Sequence, residues 1–202
     1  MHPTQSQLNA DHYNFLRLLR CLEAELTCYE ADQAGKAKLS TILDIFDYVQ
    51  VYPEKFHHPI EDLVFELLLV KQVEHSDELW GIKSEHKKLE QLTHNAAQLF
   101  TSIANDTVVP VADLVAASKI FIARQVDHIN RENRLVYPLL DKNISDDEWD
   151  AITEKVRVGR DPLFNDAVKS EYKNLYKAII QAERGVAIDS YAKPIEKRAL
   201  TL

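Results

Sequence analysis

The sequence predicts an all-α protein: an antiparallel four-helix bundle with two additional C-terminal helices. Three observations lead to this fold class. Only 4 glycines occur in 202 residues, where average usage would give about 14, so turn-rich β architectures are disfavoured. Apolar residues recur at helical spacing in four long stretches. The connections between these stretches are short, as is typical of antiparallel bundles.

Four long helices are predicted from this periodicity and from local start and stop signals. The first, over 4–35, opens on a capping-box sequence. The second, over 36–70, is expected to kink or break near His57, because two prolines each remove a backbone hydrogen bond. The third, over 76–103, follows a serine cap, and the fourth, over 110–142, starts at a proline.

Two shorter helices are predicted in the C-terminal third. A capping box at Ser145 opens a helix that stops at Gly159. Asp161 and the proline after it open a second helix that stops at Gly185. We therefore expect one domain over 1–202, which consists of a bundle over 5–142, a helical extension over 145–185 and a tail over 186–202.

Composition and charge exclude several classes of partner. The formal net charge of -8 gives no electrostatic basis for holding nucleic acid or an anionic membrane surface. No apolar stretch reaches the roughly 18 residues of a membrane span, and the first residues lack the features of a secretion signal. We expect a cytoplasmic protein with neither nucleic acid nor membrane as partner, and a homodimer is left open. Cys21 and Cys28 are too far apart along one helix for a disulfide, so we interpret them as packing residues.

Histidines interrupt the apolar stripes at regular places. Each long predicted helix directs one histidine toward the core: His12, His57, His86 and His128. Three of these histidines are followed four residues later by a glutamate: Glu61, Glu90 and Glu132. Residues at i and i+4 share a helix face with a rise of about 6 Å, so both side chains of a pair can reach one metal ion.

These residues predict a metal centre. An unpaired buried carboxylate costs several kcal/mol, and divalent cations would compensate the charge. Imidazole and carboxylate together suit iron, manganese or zinc. Seven ligands are more than one metal uses, so we expect two metals with one coordination position open to an exogenous molecule. His58, which lies between a candidate ligand and a proline, is a further candidate for contact with metal.

Each member of this set has a simpler alternative when it is considered alone. A single core histidine is more often a hydrogen-bonded structural residue, and a single His–Glu pair is more often a solvated helix face. The joint pattern favours the metal centre, because it places a histidine on the interior stripe of every long helix and repeats one His–Glu spacing three times. A purely structural bundle leaves these buried ionisable residues unexplained.

The sequence resembles the hemerythrin-like HHE cation-binding domains, in particular the stand-alone bacterial type. Four segments carry the resemblance: Asp11–His12, Phe56–Asp62, Glu85–His86 with Glu90 after it, and His128–Glu132. The resemblance implies a non-heme di-iron centre in which Glu61 and Glu132 bridge two iron ions. It implies that one iron takes His12 and His57 and that the other takes His86 and His128.

One position departs from the oxygen-carrying members of that family. They have a histidine four positions after the ligand on the third helix, where this chain has Glu90. A glutamate makes the site more anionic, which should stabilise ferric iron and weaken reversible O2 carriage. Simple oxygen transport is therefore disfavoured.

The resemblance implies a protein that binds, senses or reduces a small molecule such as O2, NO or peroxide at an open iron position. The alternative is an O2-dependent di-iron oxidase or oxygenase that acts on an organic substrate. Iron–sulfur cluster repair and iron storage or sensing are less favoured, because relatives with the repair and sensing functions carry further domains. Whether the protein is an enzyme is left open, and no catalytic residue is assigned.

Overall fold

The computed structural model describes residues 1–31, 38–156, 159–164 and 170–189, with side chains described up to residue 184 in the last helix. Across this part of the chain the regular secondary structure is helical, as the sequence predicts. Its α-helices are α1 (Pro3–Glu30), α2 (Leu39–Val51), α3 (His58–Val70), α4 (Ser76–Lys83), α5 (His86–Ala104), α6 (Val111–Arg131), α7 (Tyr137–Asn143), α8 (Asp146–Lys155) and α9 (Lys173–Asp189). None of the described helices combines the length and apolar character that crossing a membrane requires. The predicted junction of the first two helices, at 32–37, and the part of the predicted 186–202 tail beyond 189 lie outside the described residues. The last helix continues past the predicted stop at Gly185 to Asp189, so the first residues of the predicted tail are helical.

A polar layer separates two apolar clusters. The helices pack α1 against α6 and α9, α2 against α5, and α5 against α6. Leu8 and Phe15 of α1 belong to different clusters, with His12 between them. Ile129 and Val136 also belong to different clusters, with a candidate glutamate between them. Apolar packing on both sides therefore encloses the buried ionisable residues.

Two π-helical segments, Pro53–His57 and Glu132–Val136, interrupt the long helices at this layer. The residue after each segment, His58 or Tyr137, donates its N–H to the carbonyl five residues back and precedes a proline. In an α-helix a proline ring clashes with the carbonyl four residues before it, and the wider turn relieves that clash. The predicted interruption near His57 is confirmed, whereas the interruption of the fourth helix was not predicted.

The third predicted helix is divided into α4 and α5. The hydroxyl of Ser84 donates to the carbonyl of Gly81, and the N–H of Glu85 donates to the carbonyl of Ile82. These bonds form a tight turn that ends α4. The apolar stripe continues in phase across the turn, so periodicity alone could not reveal it.

The helix predicted to begin at Asp161 begins later. Asp161 Oδ1 accepts the N–H groups of Leu163 and Phe164 at 2.8 and 3.0 Å, as an N-cap would. The chain nevertheless bends there, and α9 begins at Lys173 after a short 3-10 turn, Ser170–Tyr172. Leu163 is fully buried in the larger apolar cluster, so tertiary packing determines this segment.

Both cysteines are free thiols on α1. Cys21 is buried in the larger apolar cluster, and burial raises the pKa of its thiol to about 12. Such a thiol stays protonated at neutral pH and is a poor nucleophile. Cys21 therefore acts as an apolar packing residue.

The capping box predicted at Ser145 is confirmed at the start of α8, where its hydroxyl accepts the N–H of Glu148 and its own N–H donates to the Glu148 carboxylate. We expect Ser145→Ala to lower the free energy of unfolding by about 1 kcal/mol, because a backbone N–H loses its partner. Urea denaturation measures this loss. Thr153→Ala in the same helix is the matched control, since its hydroxyl donates to the carbonyl of Asp150 and caps no N–H. An equal loss in both variants would contradict the capping role.

Candidate metal centre

Six of the seven predicted metal ligands converge in two groups of three. The groups are His12, His57 and Glu61, and His86, His128 and Glu132. Within each group the ligand atoms lie within 4.8 Å of one another, and all six side chains are buried. The residues come from α1, α3, α5, α6 and the two π segments, so the site exists only when these elements pack together.

The two glutamates connect the groups. Glu132 Oε1 lies 3.1 Å from His128 Nε2, and Glu132 Oε2 lies 3.2 Å from His12 Nε2. Glu61 Oε1 also lies 3.2 Å from His12 Nε2, while Glu61 Oε2 lies 3.6 Å from His86 Nε2. Each carboxylate thus reaches histidines of both groups, as a carboxylate that bridges two metal ions must.

The arrangement of donor atoms fits a bound metal. Within the described residues, Glu61 Oε2, Glu132 Oε2 and His128 Nε2 are buried and make no hydrogen bond of acceptable geometry. Each nevertheless lies 3.1 or 3.2 Å from an imidazole or carboxylate atom. Two atoms that each bind one metal at about 2.1 Å are about 3.0–3.4 Å apart. The atoms are therefore spaced as ligands of a common ion, and imidazole with carboxylate suits iron, manganese and zinc.

The ionisable groups stabilise one another's charged forms. Burial alone would lower the pKa of His12, but the carboxylates of Glu132 and Glu61, each 3.2 Å from its Nε2, outweigh burial and raise the pKa to about 10. Neighbouring carboxylates likewise outweigh burial at His86 and His57, and raise their pKa values to about 10 and about 9. Burial opposes ionisation of the two glutamates, yet the histidines hold both pKa values well below the ordinary value. In the metal-free protein, protonated imidazoles balance the charge of the carboxylates. A metal cation can take the place of these protons.

The second ring nitrogen of each candidate ligand histidine, Nδ1, lies beside a side-chain oxygen. The partners are Asn133 for His12 at 2.9 Å, Asp11 for His57 at 3.0 Å, Asp62 for His86 at 2.8 Å and Glu85 for His128 at 3.3 Å. An acceptor at Nδ1 holds the proton there and orients the ring. Nε2 of each histidine is thereby free to bind a metal.

These four acceptors occupy equivalent positions in the sequence. Each is the immediate neighbour of a candidate ligand but serves the histidine of a different segment. Asp11 precedes His12 and bonds to His57, whereas Asn133 follows Glu132 and bonds to His12. This role was not predicted from the sequence. The signal was present as an acidic or amide residue next to a ligand on each of the four long predicted helices.

Tyrosines complete the hydrogen bonding around the first group. The hydroxyl of Tyr137 donates to Glu61 Oε1 at 2.9 Å and lies 3.3 Å from His12 Nε2. Burial and the nearby carboxylates raise the pKa of Tyr137 well above its ordinary value, so the hydroxyl remains a donor. Tyr52 donates to both oxygens of Asp11 at 3.2 Å. These bonds fix the orientation of both carboxylates.

Glu90 and His58 lie outside both groups. Glu90 is half-buried one helical turn beyond His86, and burial together with the charge of Glu90 raises the pKa of Glu54 to about 7. The His58 ring stacks on the His86 ring, with centroids 4.4 Å apart. The structure therefore brings Glu90 close to a second carboxylate and His58 close to the second group.

A small cavity lies beside the candidate ligands. Its walls include four of them, His12, His57, His128 and Glu132. The other wall residues are Phe15, His58, Gln125 and Ile129. The cavity has room for about one water-sized molecule.

Asp11→Asn is expected to weaken binding of the metal at the first group by about 10- to 100-fold, because the amide is a poorer acceptor for the Nδ1–H of His57. Asp62→Asn acts on His86 in the second group and should have a smaller effect. The Asp62 side chain is 42% exposed, against 2% for Asp11, so water can replace its hydrogen bond. Chelator competition measures both affinities. If both variants weakened binding of the same metal ion equally, the two groups would not bind separate ions.

The all-helical fold and the paired His/Glu groups define a class, the helical proteins with a buried cation-binding centre. The family model of the hemerythrin HHE cation-binding domain matches residues 4–140. The chain therefore belongs to the hemerythrin HHE cation-binding domain family, and the resemblance found in the sequence is confirmed. The matched residues include all six converging side chains. A search of curated proteins found no match.

Proposed function

We propose that this protein is a non-heme di-iron protein that binds, senses or reduces a small molecule such as O2, NO or peroxide at an open iron position. The observation that carries this proposal is the pair of His/Glu groups connected by two carboxylates beside a cavity of about one water molecule. In this proposal His12 and His57 hold one iron, His86 and His128 hold the other, and Glu61 and Glu132 lie between them. Family membership favours iron, although the same donors also accept manganese and zinc.

Bound iron would supply redox chemistry and a coordination position for the small molecule. The residues of the chain orient the donors and protect them. Acceptors at each Nδ1 keep Nε2 directed inward, and Tyr137 holds the Glu61 carboxylate by a hydrogen bond. The apolar clusters on both sides limit the entry of bulk water. A small ligand would therefore react in a dry site with fixed hydrogen bonds.

An O2-dependent oxidase or oxygenase acting on an organic substrate needs space for that substrate beside the metals. The cavity there holds only about one water-sized molecule. A larger groove of about 380 Å³ is lined by residues such as Glu85, Leu89 and Arg124, and by none of the six converging residues. The space available thus supports the small-ligand function better than oxidation of an organic substrate.

The proposal is tested by metal analysis of protein purified without O2, followed by absorption spectra before and after addition of O2, NO or peroxide. We expect two irons per chain and new charge-transfer absorption. One zinc per chain with no spectral response would contradict the proposal. Oxidation of an organic compound coupled to O2 consumption would instead support the second function.

A further inference from the structure

Two polar side chains line the cavity without belonging to either His/Glu group. Gln125 of α6 is 4% exposed, and His58 at the start of α3 is 6% exposed. The cavity places them beside the candidate ligands of both groups, with Phe15 and Ile129 as its apolar walls. They are the buried polar groups of this cavity that the proposed metal centre does not use.

Both side chains offer hydrogen-bonding groups to the cavity. In the part of the chain that the structure describes, His58 Nδ1 is buried without a hydrogen-bond partner. Gln125 lines the same cavity, and its amide carries two N–H donors and a carbonyl acceptor. Stacking against His86 restricts the plane of the His58 ring. A buried imidazole nitrogen is normally hydrogen-bonded, and an unpaired one costs stability. A molecule in the cavity would provide the partner that the protein itself does not.

We propose that His58 and Gln125 determine ligand specificity: they select a small molecule that donates and accepts hydrogen bonds, such as hydrogen peroxide, over an apolar diatomic molecule. This inference rests on the proposed function and adds the substrate class to it. The amide of Gln125 offers two N–H donors and a carbonyl acceptor, and a neutral imidazole offers one donor and one acceptor. Hydrogen peroxide can satisfy both kinds of group. O2 and NO have no proton to donate and accept hydrogen bonds only weakly, so they gain little from either side chain.

The first test uses the unaltered full-length protein loaded with zinc, which is diamagnetic and does not turn over O2. Azide probes the N–H donors of the cavity wall, because it coordinates metals and accepts hydrogen bonds. The measurement is the side-chain amide resonance of Gln125 in a nitrogen-15 correlation spectrum. We expect this resonance to shift as azide is added and to saturate together with azide binding.

The second test compares azide affinity of the iron-loaded protein with that of Gln125→Leu and His58→Phe. Each variant removes the hydrogen bond and keeps the approximate volume. We expect about a 10-fold weaker affinity in each variant, the loss expected for one hydrogen bond to a charged ligand. Affinity for NO should change by less than about threefold in both, since NO gains little from these groups. Ser118→Ala is the matched control: Ser118 is a buried residue of α6 whose hydroxyl has no partner among the described residues and which does not line the cavity.

The outcomes separate this inference from the proposed function. Weaker azide binding with unchanged iron content supports the inference. Unchanged azide affinity in both variants, with no shift of the Gln125 resonance, overturns the inference and leaves the proposed function intact. Loss of iron from His58→Phe would make His58 a metal ligand and overturn its assignment as a specificity residue. A loaded wild-type protein that binds neither azide nor NO overturns the proposed function and this inference together.

Discussion

Glu132→Gln is expected to abolish stable binding at both metal positions. The Glu132 carboxylate lies 3.1 Å from His128 Nε2, 3.4 Å from His86 Nε2 and 3.2 Å from His12 Nε2, so one substitution affects both groups. A neutral amide removes a charge that a divalent cation requires, and its NH2 group donates where the metal needs an acceptor. Because substitution of an outer partner alone costs about 10- to 100-fold in affinity, we expect a loss of more than about 100-fold here. Metal content after dialysis and chelator competition both measure it.

Glu66→Gln is the matched control for this substitution. Glu66 lies on the surface of α3, where it pairs with Lys83 and its side chain is 57% exposed. The same change of chemistry there should leave the metal content unaltered, because an exposed pair contributes little to stability. If Glu132→Gln retained two metals per chain with wild-type affinity, the carboxylate would not bridge the two groups.

Metal binding is expected to release about three protons at pH 8, one each from His12, His57 and His86. Their pKa values in the metal-free protein are raised to about 10, about 9 and about 10, so all three are protonated at that pH. Glu61 and Glu132 release none, because their pKa values are lowered well below the ordinary value. Apparent affinity should therefore rise with pH until about pH 10, where the last of these histidines loses its proton without metal. Calorimetric titration in buffers of different ionisation enthalpy counts the protons.

The same protons make the stability of the metal-free protein depend on pH. Each raised pKa exceeds the unfolded value of 6.5, so the folded chain binds more protons than the unfolded chain between these values. The stabilisation is complete below about pH 6.5 and is lost as the pH rises through about 9 to 10. Metal-loaded protein should lack this dependence, since the cation has replaced the protons. Release of fewer than one proton, or a flat stability profile of the metal-free protein, would contradict the charged cluster.

The position of Glu90 bears on oxygen carriage. From the sequence, Glu90 is expected to be a ligand that makes the metal site more anionic. In the structure Glu90 lies outside both groups, and its charge contributes to the raised pKa of Glu54. Glu90 therefore does not add its charge to the metal centre as a ligand. The polar cavity wall formed by His58 and Gln125 supplies a separate reason to expect a ligand other than a freely exchanging O2 molecule.

Many of the candidate ligands could be predicted from the spacing of residues along the sequence. Histidines that replace apolar residues on an amphipathic stripe face the interior, and this holds for all four predicted histidines, each at most 4% exposed. The i+4 rule also identified Glu61 and Glu132. It did not distinguish them from Glu90, because it describes a shared helix face and gives no distance to atoms on another helix. In the two pairs that converge, one member lies in a π segment, whereas His86 and Glu90 lie in a regular α-helix.

The helical class, the inward-facing histidines, the capping box at Ser145 and the interruption near His57 could all be predicted from the sequence. These features depend on residues within a few turns of one another, where periodicity and local hydrogen bonding decide the outcome. Three features depend on tertiary packing. They are the set of ligands that meet, the residue that accepts a hydrogen bond from the Nδ1–H of each ligand histidine, and the path of the chain after Asp161. Those outcomes depend on how the helices rotate, slide and pack against one another, and burial of residues such as Leu163 outweighs the local signals.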